Sequence, residues 1–129
     1  KFYRIEDLVF LIDEFGIRNF MFDSERLKNV IGIQQTEHLG NNVWAIDGGR
    51  ELTLLSTCVY LDRDENTVMD EIDERLNSAD YAVIGSHDYR TIVPENLEKA
   101  IHHLYTNYNV EFVTIDQIGE LVRKEKIKN

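Results

Sequence analysis

Four apolar runs of strand type, Ile17 to Phe22, Leu52 to Leu61, Ala82 to Ser86 and Val110 to Ile115, are each followed by a segment of helical character. A strand that feeds a helix is committed to a crossover, because only a short turn lets the next strand return beside it in the opposite direction. The alternation therefore predicts an α/β fold: a mostly parallel sheet of βα units with right-handed crossovers and all four strand carboxyl ends on one side. Residues just past those ends are where α/β proteins place ligands and chemistry.

In order along the chain, Ile5, Leu8, Val9 and Ile12 recur at helical spacing between Arg4 and Phe15, and Gly16 is a natural stop. The Ile17 to Phe22 strand follows, then Asp23-Ser24 can cap a second helix to about Val30. The polar stretch Gln34 to Asn42 reads as a loop, and Val43-Trp44-Ala45-Ile46 as a brief strand closed by the Asp47-Gly48-Gly49 turn. Leu52 to Leu61 is the longest β-type run and ends in Asp62-Arg63-Asp64. Val68, Ile72, Leu76 and Ala79 stripe one face of a helix from Glu65 to Ala79, the crossover before the Ala82 strand. Pro94 and Glu95 suit a helix first turn, and Leu97, Ile101, Leu104, Tyr105 and Tyr108 stripe that helix. Asp116 can cap the last helix, Gln117 to about Lys126.

Composition bounds the function. At 129 residues and 43% hydrophobic content, one α/β domain spanning 1–129 with its own core is expected. A net charge of −10 argues against a nucleic-acid partner, which needs a basic patch. The basic tail Arg123 to Lys128 reads as a solvated helix end. No apolar span of about 18 residues and no basic-then-apolar leader appear, so neither a membrane span nor export is expected. Cys58, the single cysteine, excludes an internal disulfide and reads as a buried structural thiol. The chain begins at Lys1, inside what reads as a helix, as a piece cut from something larger would.

The stretch Val83-Ile84-Gly85-Ser86-His87-Asp88-Tyr89-Arg90 leaves a strand and ends in a polar tip, which makes His87 the leading candidate for a working residue. The alternative is a hydrogen-bonded surface pair with Asp88. Asp88 and Arg90, on the same tip, are the substrate-binding candidates. Two strand-end carboxylates could orient an imidazolium from a neighbouring strand, Asp62 and Asp47. Asp62 is preferred, since one crossover helix separates it from His87, although Asp62-Arg63-Asp64-Glu65 also reads as a helix-capping cluster. His102 and His103 are adjacent on a helix, point about 100° apart and read as solvated. His38 stands in a polar loop beside Glu37.

These residues carry a resemblance. Val83-Ile84-Gly85-Ser86-His87-Asp88, a helix with Leu97 and Ile101, and then Val110-Glu111-Phe112-Val113-Thr114-Ile115-Asp116-Gln117-Ile118 resemble the carboxyl-terminal half of the polysaccharide deacetylase (NodB-homology) family over roughly residues 80 to 122. Arg18-Asn19-Phe20-Met21 stands where that family has an Arg-x-Pro-Tyr pattern, and Gly85 where it has Leu. The resemblance implies part of a distorted (β/α) barrel whose full-length members remove N-acetyl groups from amino sugars. A divalent metal, zinc or similar, held by an Asp and two His, activates water in that family, with a second Asp as base. His87 matches the histidine that protonates the departing amine, and Asp62, or in its place Asp47, would stand for the carboxylate that orients it. No Thr-Phe-Asp-Asp-Gly-like and no His-x-x-x-His segment exists here, so the metal half is absent from the chain. The expectation is a chain that binds no such metal and is inactive alone, meets a carbohydrate, and can self-associate through a sheet edge left open. Against it stands a non-catalytic deacetylase-like domain, or an unrelated α/β domain that binds a carbohydrate or a partner.

Overall fold

The structure is a computed structural model that describes residues 4–22, 24–31, 36–40, 42–55, 58–87 and 92–128. Its elements are α1 (Ile5–Phe15), β1 (Asn19–Phe20), α2 (Ser24–Ile31), β2 (Thr36–Gly40), β3 (Val43–Ile46), β4 (Arg50–Leu54), β5 (Val59–Tyr60), α3 (Glu65–Ser78), β6 (Ile84–Gly85), α4 (Ile92–Asn107) and α5 (Ile115–Arg123).

The strands form two sheets, and this overturns the expected mostly parallel sheet of βα units resembling part of a barrel. The larger sheet has the order β1-β4-β3-β2, in which β2, β3 and β4 form an antiparallel meander and only β1 runs parallel to β4. The smaller is the parallel pair β5-β6. Short connections decide the difference. Only two residues separate β2 from β3, and only Asp47-Gly48-Gly49 separate β3 from β4, far fewer than a crossover needs. Those three residues all carry positive φ, +24°, +79° and +83°, which suits the two glycines and favours a tight reversal. The segment around His38, expected as a loop, is therefore an edge strand, with His38 opposite Trp44 and the rings stacked at 4.7 Å.

The Leu52 to Leu61 run is not one strand. Its first part is β4 in the larger sheet and its last part β5 in the smaller. Val110 to Ile115 joins neither sheet among the described residues, and Ile115 already opens α5. The cap of α5 is Thr114, not Asp116: its hydroxyl accepts from the Gln117 amide at 3.2 Å, and the Gln117 side chain accepts from the Thr114 amide at 2.8 Å.

Packing follows from these breaks. Leu8 and Ile12 of α1 and Leu27 of α2 pack with Trp44, Ile46, Leu52 and Leu54 of the larger sheet. Val68 and Ile72 of α3 and Ala100 and Leu104 of α4 pack with Val59 and Leu61. The helix-ending role of Gly16 is as read, at φ +66° with its amide bonded to Ile12. The face of α4 is not. Asn96, Ala100 and Leu104 are its buried residues, whereas Leu97, Ile101 and Tyr105 are exposed. A third cluster of Leu55, Tyr81 and Val122 gathers Ile115, Ile118 and Ile127 around it. No helix among the described residues is long and apolar enough to cross a membrane.

Helix α5 seats against β1 through one close approach. Asn19 donates to Asp116 at 2.9 Å, accepts from Arg123 at 3.0 Å, and lies directly on Gly119, where any β-carbon would collide with the Asn19 carboxamide. Gly119→Ala should therefore destabilise the fold by about 1–3 kcal/mol in chemical denaturation, as overpacking does, and adding Asn19→Ala should restore part of that loss.

Candidate functional site

Strand alternation places Asp62 and His87 on one side of the β5-β6 pair. The register aligns Tyr60 with Gly85, and two further residues along each chain bring Asp62 beside His87, both just past the carboxyl ends of parallel strands. One carboxylate oxygen of Asp62 accepts the His87 amide at 3.2 Å and the other lies 3.2 Å from His87 Nδ1. The two candidate residues are thus brought together from 25 positions apart. The Asp62 side chain is only 11% exposed, the imidazole 59%. Burial pushes the Asp62 pKa up, but hydrogen bonds from the His87 amide, its own amide and the imidazole outweigh it and hold the carboxyl below its ordinary value.

The competing assignments separate cleanly. Asp64, not Asp62, caps α3, accepting from the Thr67 amide at 3.3 Å, so the capping reading takes a different carboxylate. Asp47 lies in the β3–β4 turn of the other sheet, 3.7 Å from the Arg50 guanidinium that also grips Asp13. Asp88 and Arg90, the substrate-binding candidates, lie outside the described residues.

What fixes Asp62 was not visible in the sequence. Asn96 of α4 is 1% exposed, and its carboxamide donates to the carbonyls of Leu61 at 2.8 Å and Arg63 at 2.7 Å, the residues on either side of Asp62. A buried amide is held by such bonds because no water can replace them. The only sequence signal was a polar residue at the position that alternates with Ala100 and Leu104 on the buried face.

Other neighbours define the surroundings. The Tyr60 ring stacks on the imidazole, with centres 3.8 Å apart. Cys58 is half-buried, and burial, followed by the Asp62 charge, raises its thiol pKa, so it is not a nucleophile poised for attack. Its sulfur fills the space beside Gly85, where a β-carbon would stand 2.8 Å from Sγ. That accounts for the absence of a larger residue there. Among the described residues no group of three His, Cys, Asp or Glu converges to hold a metal ion.

A second polar cluster corrects the reading of His103 as solvated. Asp73 of α3 lies 2.7 Å from His103 Nε2 and accepts the Tyr108 hydroxyl at 2.6 Å, joining α3 to α4. Beside it a cleft of about 680 Å³ is lined by residues including Glu65, Glu98, Lys99 and His103.

Two outcomes are expected. Asn96→Leu strands two carbonyls and should cost about 1–3 kcal/mol by denaturation, and it should weaken the His87–Asp62 pair, read as loss of slow exchange at the His87 amide. Hydrogen bonds from Tyr108 and then His103 hold the Asp73 pKa below its ordinary 3.8. A carboxyl lowered on folding contributes stability that is present above its unfolded value and lost as pH falls through its folded one. Wild type and Asp73→Asn should therefore differ most near neutrality and converge below about pH 4 in acid denaturation. No family model, no curated protein and no solved structure matches this chain.

Proposed function

We propose that the chain carries the proton-donating half of a carbohydrate N-deacetylase site, with His87 as the acid and Asp62 as its orienting carboxylate. The observation that carries this reading is the pairing of Asp62 with His87 Nδ1 at the ends of two adjacent parallel strands. With Nδ1 engaged, Nε2 is the nitrogen left to meet a substrate. As the amide C–N bond breaks, its electron pair passes to nitrogen, and the proton on His87 Nε2 moves to that nitrogen so that a neutral amine departs. Asp62 stabilises the imidazolium that precedes the transfer and fixes which nitrogen faces outward. The similarity of the His87 motif to that of the deacetylase family supports the substrate class. The water-activating metal and the base must come from outside these 129 residues, on flanking sequence or another chain, and the chain alone is expected not to deacetylate N-acetylglucosamine oligomers.

A second reading rests on a different observation. Leu97, Ile101 and Tyr105 are exposed at helical spacing on α4, and the exposed Phe112 ring lies 5.9 Å from that of Tyr105, an apolar surface suited to a partner in a non-catalytic domain.

The test is made in a preparation in which the metal-bearing part is present and N-acetylglucosamine oligomers are turned over. His87→Ala should lower kcat by about 10²- to 10⁴-fold while metal affinity stays unchanged, because an acid acts in the transition state and is no ligand. It should also remove the alkaline limb of the pH–rate profile. Full turnover with an unchanged profile in His87→Ala would leave the pair a surface hydrogen bond and favour the partner-binding reading.

A further inference from the structure

His87 presents a physical difficulty as a proton donor. Its side chain is 59% exposed, and one hydrogen bond at Nδ1 does not fix the plane of an imidazole, which can still tilt about its outer torsion. A proton is delivered efficiently only when the donor nitrogen points where the acceptor will be. Something other than Asp62 has to set the ring plane.

Tyr60 is placed to do so. Its ring lies against the imidazole with centres 3.8 Å apart and planes 24° apart, a stacked contact over the face of the ring rather than at its edge. The strand register explains how it gets there. Tyr60 stands opposite Gly85, one step of the alternation before Asp62 and His87, and so on the same face of the β5-β6 pair as the imidazole. The space that a side chain at Gly85 would take is filled by the Cys58 sulfur. Tyr60 is braced in turn: the Arg63 guanidinium sits 5.7 Å from its ring centre, and Arg63 is paired with Glu71 of α3. Asp62 therefore holds the imidazole within its plane at one nitrogen, and Tyr60 holds the plane itself.

We propose that Tyr60 is a positioning residue for His87, and that the Arg63–Glu71 pair steadies it from α3. The catalytic consequence rests on the acid role given to His87 above; the positioning does not. The phenol hydroxyl has no part in it, because the contact is made by the ring face. Phenylalanine should serve as well as tyrosine, and an aliphatic residue should not.

The 129-residue chain labelled with ¹⁵N and ¹³C provides the first measurement. In the wild type, the His87 ring protons should carry the upfield shift of a stacked aromatic face, and the neutral imidazole should be held in the tautomer with the proton on Nδ1. Tyr60→Val, chosen because a β-branched residue suits the strand, should lose the upfield shift and move the tautomer ratio toward that of a free imidazole. Tyr60→Phe should keep both. Arg63→Gln should move both in the same direction as Val but less far, and it serves as the reading if Tyr60→Val does not fold. Unchanged His87 signals in Tyr60→Val overturn the proposal, as does a Phe variant that loses them as fully as Val. If Tyr60→Val fails to fold, unchanged signals in Arg63→Gln overturn it. In the oligosaccharide assay, Tyr60→Val should lower kcat by about 10- to 100-fold at unchanged KM, with Phe restoring it. The two readings fail separately: turnover that survives His87→Ala removes the acid role, while the ring shifts and tautomer ratio still decide whether Tyr60 sets the imidazole plane.

Discussion

The carboxamide of Asn96 is the bond donor on which the candidate site is hung. It reaches from the second turn of α4 to the buried carbonyl of Leu61 and the part-buried carbonyl of Arg63. Because those carbonyls flank Asp62, the clamp fixes the turn between β5 and α3, and the turn aims the carboxylate at His87. Val68 and Ile72 of α3 and Ala100 and Leu104 of α4 close the apolar wall around it. A purely apolar residue at 96 would pack there and leave the turn without its anchor. The polarity of the position is thus the link between helix packing and the geometry of the pair.

How much of this was legible in the sequence depends on the range over which each feature is determined. The α1 helix and its stop at Gly16, the α3 crossover and the strand-end locations of Asp62 and His87 are local patterns, and all are present. The sheet was not legible, because a β-type run does not reveal which partner it will take. Leu52 to Leu61 has the composition of one strand, yet the chain leaves one sheet after Leu54 and enters another at Val59. The glycines at 40, 48 and 49 carried the information that β2, β3 and β4 would fold back on one another, and the Asp47-Gly48-Gly49 turn, already recognised, limited β4 to a hairpin with β3. The buried face of α4 was misassigned for a related reason. Leu97, Ile101 and Tyr105 form a stripe as regular as Val93, Ala100 and Leu104, and only the tertiary partner selects between them.

A barrel would surround His87 with strands on both sides, whereas here β5 and β6 form a pair among the described residues. The support for chemistry is then confined to the pair itself, its bonds to the backbone and the aromatic ring against it. A carboxylate that bonds both the amide and the imidazole of the same residue fixes that residue's backbone and the direction of Nδ1, and leaves the tilt of the ring to its aromatic neighbour.

The seat of α5 has a consequence for how the molecule comes apart. The helix holds the larger sheet through Asn19, which meets Asp116, Gly119 and Arg123, and Val122 inserts between Leu55 and Tyr81. The chain just beyond it exchanges backbone bonds with Asp80, whose amide donates to the Lys128 carbonyl at 2.9 Å while its carboxylate accepts the Lys128 amide at 2.6 Å. One short helix and its tail therefore couple two sheets that share no strand hydrogen bonds among the described residues. A helix placed in this way is a route by which loosening at one sheet is felt at the other, since local opening spreads along the contacts that join cooperative units.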